Sequence, residues 1–293
     1  MAISAAMVKE LRERTGSGMM ECKKALVETN GDIDAAVELL RKTGQAKADK
    51  KAGRVAADGM IAMTIAADGK SAAMVEVNSE TDFVATSDEF VGFCDRLVGL
   101  IGSHHPVDVE ALQALPYDSG MTVNEARQGL VARIGENITI RRFADYHTTD
   151  GLIGGYRHGT RIGVLVELRG GDAELARDVA MHIAAIRPLC VAEDDVPPEL
   201  LAKEREIYAA QAAESGKPPQ IVEKMVEGRI KKFLKENTLL GQPFVKDTDR
   251  TVGELVAAAG AAVVRFARLE VGEGIEKKAD NFADEVMAQV RGS

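Results

Sequence analysis

The sequence contains no tryptophan, and aromatic residues make up only 4% of its 293 positions. Stacking platforms for single-stranded nucleic acid and aromatic cages for cationic ligands are therefore poorly supplied. An excess of basic residues is also missing. The formal charge of -9 and the pI near 5.2 repel a phosphate backbone, so direct nucleic-acid binding would need a concentrated basic patch, and a protein partner is the better expectation. Cys22, Cys94 and Cys190 form no CxxC pair and have no histidine at metal-ligand spacing. Neither a disulfide framework nor a zinc site is expected from them, which fits a reducing cytoplasm. No apolar run approaches the roughly 18 residues of a membrane span, and Met1 to Arg14 carries Glu10 and Glu13 where a secretory signal has its apolar region. A cytoplasmic protein, away from the membrane, is the expectation.

Motifs that carry chemistry are equally scarce. There is no GxxxxGK[ST] run, and Gly272-Glu273-Gly274 lacks the third glycine of a dinucleotide fingerprint. His104 and His105 are adjacent, diverge on any regular element, and read as a solvated loop beside Pro106. His182 falls on an apolar helical stripe and reads as a core or interface histidine. The acidic pairs Glu80/Asp82 and Asp194/Asp195 sit in loops without histidine companions, and no Ser/His/Asp or Cys/His set lies on a recognisable elbow. No catalytic residue, cofactor or metal is expected.

What the chain does contain is 45% hydrophobic content, enough to bury the cores of two or three compact units. Ser4, Ser17 and Asp32 precede apolar stripes at Met7, Val8 and Leu11, at Met19, Cys22 and Leu26, and at Ile33, Val37 and Leu40; this predicts a small three-helix domain. Gly44 to Asp58 is rich in Lys, Ala and Gly, with Lys47, Lys50, Lys51 and Arg54, and reads as a solvated linker or fraying helix end.

The middle of the chain holds one unit twice. Asp58-Gly59-Met60-Ile61 leads to Met74-Val75-Glu76-Val77, and Asp150-Gly151-Leu152-Ile153 leads to Leu165-Val166-Glu167-Leu168. Each hairpin is followed by a helical pattern, ending at Pro106 or Pro188, and each copy closes with a helix opened by Thr122-Val123-Asn124-Glu125 or Thr251-Val252-Gly253-Glu254 and then a strand. The unit is β-β-α-α-β, duplicated, and the fold class is α+β. The copies differ in two places. Copy one has an extra stretch, Asn78 to Asp88, containing Thr81-Asp82-Phe83-Val84. Copy two has two helical stretches, 198–214 and 220–235, joined by Ser215-Gly216-Lys217-Pro218-Pro219, an antiparallel hairpin that either packs on the core or pairs with another chain. Ala279 to Val290 places Phe282, Val286 and Val290 on one face of a terminal amphipathic helix. On the residues alone, Phe83 either folds back on its own core or inserts into a partner.

Two stretches together resemble the elongation factor Ts family: Leu11-Arg12-Glu13-Arg14-Thr15-Gly16-Ser17-Gly18-Met19-Met20-Glu21-Cys22-Lys23-Lys24-Ala25-Leu26, and Glu76-Val77-Asn78-Ser79-Glu80-Thr81-Asp82-Phe83-Val84-Ala85. Gly135-Glu136-Asn137-Ile138, Tyr156-Arg157-His158-Gly159, Ser215-Gly216-Lys217-Pro218, Gly241-Gln242-Pro243-Phe244-Val245 and Glu270 to Ile275 extend the likeness along nearly the whole chain, implying the full-length bacterial form. Only the stretch from Ser103 to Met121 is longer than the family pattern. The resemblance implies a ubiquitin-associated-like (UBA-like) three-helix domain at 1–54, consistent with Gly31 to Val37, which resembles the third helix of such domains. It further implies core subdomains at 55–148 and at 149–192 with 240–273, an inserted coiled-coil hairpin at 193–239, and a C-terminal helical module at 274–293.

The family acts as a guanine-nucleotide exchange factor in translation elongation. Its implied partner is elongation factor Tu, both GDP-bound and nucleotide-free. By the same resemblance Thr81, Asp82, Phe83 and Val84 reach the GTPase domain of that partner, the Phe wedging beside its Mg²⁺ and phosphate site. Leu11, Met19, Met20, Ile134, His158, Phe282 and Val286 are implied as further partner contacts. A homodimer or a 2:2 complex through the 193–239 hairpin stays open, as does the alternative of a ribosome-associated adaptor or protein-binding scaffold without exchange activity.

Overall fold

The computed structural model describes residues 3–118, 120–214 and 216–276. The fold is mixed α/β, built from helices and small antiparallel sheets.

Three helices come first: α1 (Ala5–Thr15), α2 (Met19–Glu28) and α3 (Ile33–Lys51). Ser4 caps α1 by accepting from Met7 N at 3.2 Å, and Asp32 caps α3 by accepting from Ala35 N at 3.0 Å. The cap of α2 is Gly18 rather than Ser17, whose own amide donates to Thr15 Oγ1. Leu11, Cys22, Ala25, Leu26 and Ala36 make a small core between the three helices. The linker reading of 44–58 needs correction, because α3 continues unbroken to Lys51. Gly44 and Ala48 lie on one buried face four residues apart and pack toward the core. Lys47 pairs with Glu21, Lys51 donates to Gly135 O, and Arg54 lies 3.6 Å from Glu80, so these cations tie elements together.

The next unit runs β1 (Asp58–Ile65), β2 (Ser71–Ser79), α4 (Asp82–Ala85), α5 (Asp88–His104), α6 (Val109–Ala114), β3 (Pro116–Asp118), β4 (Met121–Thr122), α7 (Val123–Ile134) and β5 (Thr139–His147). The last one runs β6 (Leu152–His158), β7 (Ile162–Arg169), α8 (Ala173–Ile186), α9 (Pro198–Ala213), α10 (Pro219–Asn237), β8 (Pro243–Phe244), β9 (Asp247–Thr251), α11 (Val252–Ala258) and β10 (Ala262–Glu270). The two main sheets have matching orders, β1-β2-β5 and β6-β7-β10, with every neighbour antiparallel.

The two sheets stack. Alternate residues of β2 face opposite ways: Ala73, Val75 and Val77 join α5, α6 and α7 in one core, while Ala72 and Met74 meet Ile153, Leu165 and Leu269 of the second sheet. β7 does the same, with Val164, Val166 and Leu168 turned to α8 and α11 and Leu165 turned to the first sheet. Both faces of the central strands are covered, which is why they read as almost unbroken apolar runs. Close approach is enforced at Gly154, where a Cβ would stand 2.4 Å from the Ala176 Cβ on α8.

The duplication extends to buried side chains. Glu76 and Glu167 occupy the same place in the two repeats, and each sits opposite an arginine beside a bulge. Arg142 Nε donates to Glu76 at 2.6 Å, and Arg265 Nε donates to Glu167 at 2.7 Å. In the first copy the extra residue of the bulge is Arg141, which also donates to Glu76 at 3.0 Å. The two closing helices carry the same capping box, Thr122 with Glu125 and Thr251 with Glu254.

The hairpin of α9 and α10 buries Ala212, Val226 and Ile230 in its own seam, with Leu201, Tyr208, Val222, Met225 and Leu234 packed alongside. The apolar residues Leu201, Met225 and Ile230 are thus used within the hairpin, and Ile207 and Ile221 are left exposed. Among the described residues, no helix is long and apolar enough to cross a membrane.

Candidate functional site: a clamped turn presenting Phe83

The extra stretch of the first repeat does not fold back on the core. Its four-residue helix α4 sends Ala85 inward, packs Val84 against the core edge, and leaves Phe83 with 84% of its surface exposed. Asp82 is exposed beside it. Leaving a phenylalanine in water forgoes about 1.5–3 kcal/mol of burial, so the backbone must be held firmly to keep it there.

The hold comes from residues far away in sequence. Gly135, at a φ of 89°, ends α7 in the left-handed region and turns the chain so that Glu136 reaches the strand end. Glu136 Oε2 accepts from Glu80 N at 3.1 Å and Thr81 N at 3.0 Å, while its Oε1 accepts from the Thr81 hydroxyl at 2.7 Å. In return, Glu80 Oε1 accepts from Asn137 N at 2.6 Å. Asn137 Nδ2 donates to Arg54 O at 2.8 Å, joining the end of α3 to the same node. Thr81 spends its proton on Glu136 and offers a lone pair to Val84 N at 3.5 Å, capping α4, and Ser79 Oγ donates to Thr81 O at 2.8 Å. The Glu80 and Thr81 amides and the Thr81 hydroxyl at the base of the turn are all engaged, and the aromatic ring above them is exposed.

The other predicted residues divide. Ile134 is half-buried at the end of α7, immediately before the Gly135-Glu136-Asn137 segment that grips Thr81. Met19 and Met20 are 61% and 74% exposed at the start of α2, and Val27 is exposed one heptad beyond Met20. The turn before them lies on Arg133, which donates to Glu89 of α5 at 2.9 Å. Leu11 is fully buried among the three helices, so in this conformation it supports that surface and offers none of its own. His158 is exposed at the end of β6, with Nδ1 3.2 Å from the Tyr156 hydroxyl. The turn that follows it is tied to β1, through Thr160 O accepting from Ile61 N at 2.7 Å and Arg161 lying 3.2 Å from Asp58. Asp58 pairs in register with Ser79, just below the Phe83 turn. Phe282 and Val286 lie outside the described residues. A groove of about 680 Å³ runs between the three helices and the core, lined by Arg14, Gly16, Arg41, Glu125 and Arg133.

Sequence reasoning found the projecting turn and missed what holds it. Glu136 and Asn137 stand more than 50 residues from Thr81, and nothing local marks them as its supports; their place in a family-like segment was the one available signal. His182 is buried as expected: its Nε2 donates to Gln242 Oε1 at 3.0 Å and its Nδ1 accepts from Val245 N at 3.2 Å. Burial pushes its pKa below the ordinary value, against a smaller opposing effect of Gln242. Those contacts bind α8 to the segment after α10.

Comparison with known proteins shows similarity along the length of the chain. The family model described as Elongation factor TS matches residues 80–273. The chain is 63% identical over 294 residues to a protein named Elongation factor Ts from Thioalkalivibrio sulfidiphilus (strain HL-EbGR7), with 100% of both chains covered. A protein of the same name from Methylococcus capsulatus (strain ATCC 33009 / NCIMB 11132 / Bath) is 63% identical over 293 residues, again with 100% of both covered. One from Legionella pneumophila (strain Lens) is 55% identical over 289 residues, with 99% of each covered.

Proposed function

The chain belongs to the elongation factor Ts family, and from that membership we propose that it is a guanine-nucleotide exchange factor: it binds elongation factor Tu carrying GDP, promotes release of the GDP, and so allows GTP to bind. The observation that carries the proposal is an exposed Phe83 on a turn clamped at its base by Glu136 and Glu80. The backbone that carries this side chain is pre-organised to present it to a partner, so that the ordering entropy lost on docking is mainly that of the ring itself. Thr81, Asp82 and Val84 shape the turn. Ile134 flanks its support, and Met19, Met20 and His158 are further contacts, with Phe282 and Val286 on the terminal module.

The mechanism needs no bond chemistry. A GTPase holds nucleotide through backbone amides on its phosphates and through Mg²⁺. If Phe83 wedges beside that site, the chain binds best to the partner in a form whose nucleotide site is distorted. By linkage, it then weakens nucleotide by the same factor by which nucleotide weakens it. A coupling of about 3 kcal/mol changes affinity by roughly 150-fold.

The division of labour proposed is a UBA-like domain at 1–54 gripping the partner and subdomains at 55–148 and at 149–192 with 240–273 carrying the wedge. The module at 274–293 adds contact area, and the hairpin at 193–239 is where two copies would meet in a homodimer or 2:2 complex. The test is release of a fluorescent GDP analogue from purified elongation factor Tu. Substoichiometric chain accelerates release if the proposal holds; a chain that binds without accelerating release is an adaptor, and the proposal falls.

A further inference from the structure

The longer stretch, Ser103 to Met121, begins at a cluster that the exchange mechanism does not use. His105 caps α5 in the left-handed region, at a φ of 50°, with its amide donating to Ile101 O at 2.9 Å. This points its ring at β5, the edge strand of its sheet, where Asp145 and His147 share a face two residues apart. His105 Nδ1 lies 2.8 Å from Asp145 Oδ2, His147 Nε2 lies 3.0 Å from Asp145 Oδ1, and the two imidazole nitrogens are 2.8 Å apart. The rings meet edge to face with centroids 4.1 Å apart.

For an ionised Asp145, hydrogen bonding alone does not satisfy this cluster. With the carboxylate ionised, two protonated nitrogens would serve Asp145 but oppose each other across 2.8 Å. With one nitrogen bare, its lone pair faces a carboxylate oxygen. A cation at the centre satisfies all three groups together. We infer that His105, Asp145 and His147 form a site for a divalent transition cation of the zinc class, joining the end of α5 to the edge strand.

The donor set of two imidazoles and one carboxylate is that of borderline metals. Metal–ligand bonds of about 2.0–2.1 Å in a tetrahedral arrangement separate ligand atoms by roughly 3.3 Å, so the two imidazole nitrogens need to part by about 0.5 Å, and the carboxylate, which meets one imidazole with each oxygen, turns one of them to the ion. Both histidine side chains are nearly half exposed and have room to do so, while the Asp145 side chain, 13% exposed, is the fixed anchor. The fourth position faces solvent and takes water. Of the nearby cations, Arg265 contacts His147 only through the backbone oxygen, at 3.1 Å, and is itself paired with Glu167. His104, whose Nδ1 lies 3.3 Å from Leu100 O, is outside the triangle and serves as a control.

The test uses the full chain, stripped with chelator and titrated with zinc chloride against a chromophoric competitor. One equivalent binds to the wild type and raises its unfolding midpoint. His147→Ala and Asp145→Asn each weaken binding by more than about 100-fold, beyond the roughly 10–100-fold that loss of an outer-shell partner costs, and abolish the shift in midpoint. His104→Ala binds as the wild type does. Asp145→Asn keeps the side-chain shape, so it decides the matter if His147→Ala misfolds. Absence of binding to the wild type, or equal binding by Asp145→Asn, overturns the site.

Discussion

Glu80 and Glu136 hold each other's segments: Glu136 accepts from the Glu80 amide, and Glu80 accepts from the amide of Asn137, next to Glu136. This reciprocal pair joins the end of β2 to the end of α7 and sets the direction in which Phe83 points. It makes Glu136, which touches no partner in the proposed mechanism, a positioning residue for exchange.

Glu136→Ala therefore leaves Glu80 N, Thr81 N and the Thr81 hydroxyl without their acceptor. Loss of such contacts at a partly buried site costs about 1–3 kcal/mol of stability. Exchange is expected to fall while Phe83 is still present. Denaturant midpoints and GDP-release rates measured on the same preparation check this, and a variant that exchanged at the wild-type rate would contradict the clamp.

A second prediction concerns Glu76, fully buried between the sheets. Burial raises its pKa, but donation from Gly272 N, Arg142, Arg141 and Asn78 outweighs this and holds it below the ordinary 4.5. A carboxylate with a depressed folded pKa contributes stability that is whole above 4.5 and is lost as pH falls through the folded value. Glu76→Gln should cost about 3 kcal/mol at neutral pH, the low end for a broken buried pair because both arginines reach solvent. The gap between variant and wild type should close in acid. A gap unchanged between pH 7 and pH 3 would refute the role.

Gly272 makes the same node testable from the backbone side. Its φ is 73°, its amide donates to Glu76 at 2.8 Å, and a Cβ there would stand 2.2 Å from Ala57 O. Gly272→Ala has to move the chain and is expected to destabilise by more than the roughly 1 kcal/mol typical of point variants. Thermal unfolding reads the result.

His182 gives a second titration. Its folded pKa is depressed, because burial opposes the charged ring and protonating Nδ1 would break the bond from Val245 N. Stability is whole above the ordinary 6.5 and declines as pH falls below it, by at most about 1.4 kcal/mol per pH unit for one proton. His182→Gln should flatten that decline between pH 6.5 and 5 in urea-denaturation midpoints. An unchanged slope would assign the acid sensitivity elsewhere.

The duplicated hairpins were legible because Met74 to Val77 and Leu165 to Leu168 repeat the same apolar and acidic order, and the Thr-x-x-Glu caps repeat with them. The projecting turn was legible as a stretch that one repeat has and the other lacks. The end of α3 was not, because Gly44 and Ala48 are small residues whose burial depends on α7, and small residues among lysines look like linker. Glu80 with Glu136, and His105 with His147, pair across 56 and 42 residues. Periodicity carries no information at that range, since it reports the face of one element and not its neighbour.

Phe83→Ala tests the central claim most directly. The side chain is 84% exposed, so stability should change by less than about 0.5 kcal/mol. Release of a fluorescent GDP analogue from elongation factor Tu, followed by stopped flow with wild type and variant at equal concentration, should show strong acceleration by the wild type and a loss of at least about tenfold in the variant, equal to about 1.4 kcal/mol of activation free energy. Equal acceleration by both would contradict the wedge, and no acceleration by either would contradict exchange itself.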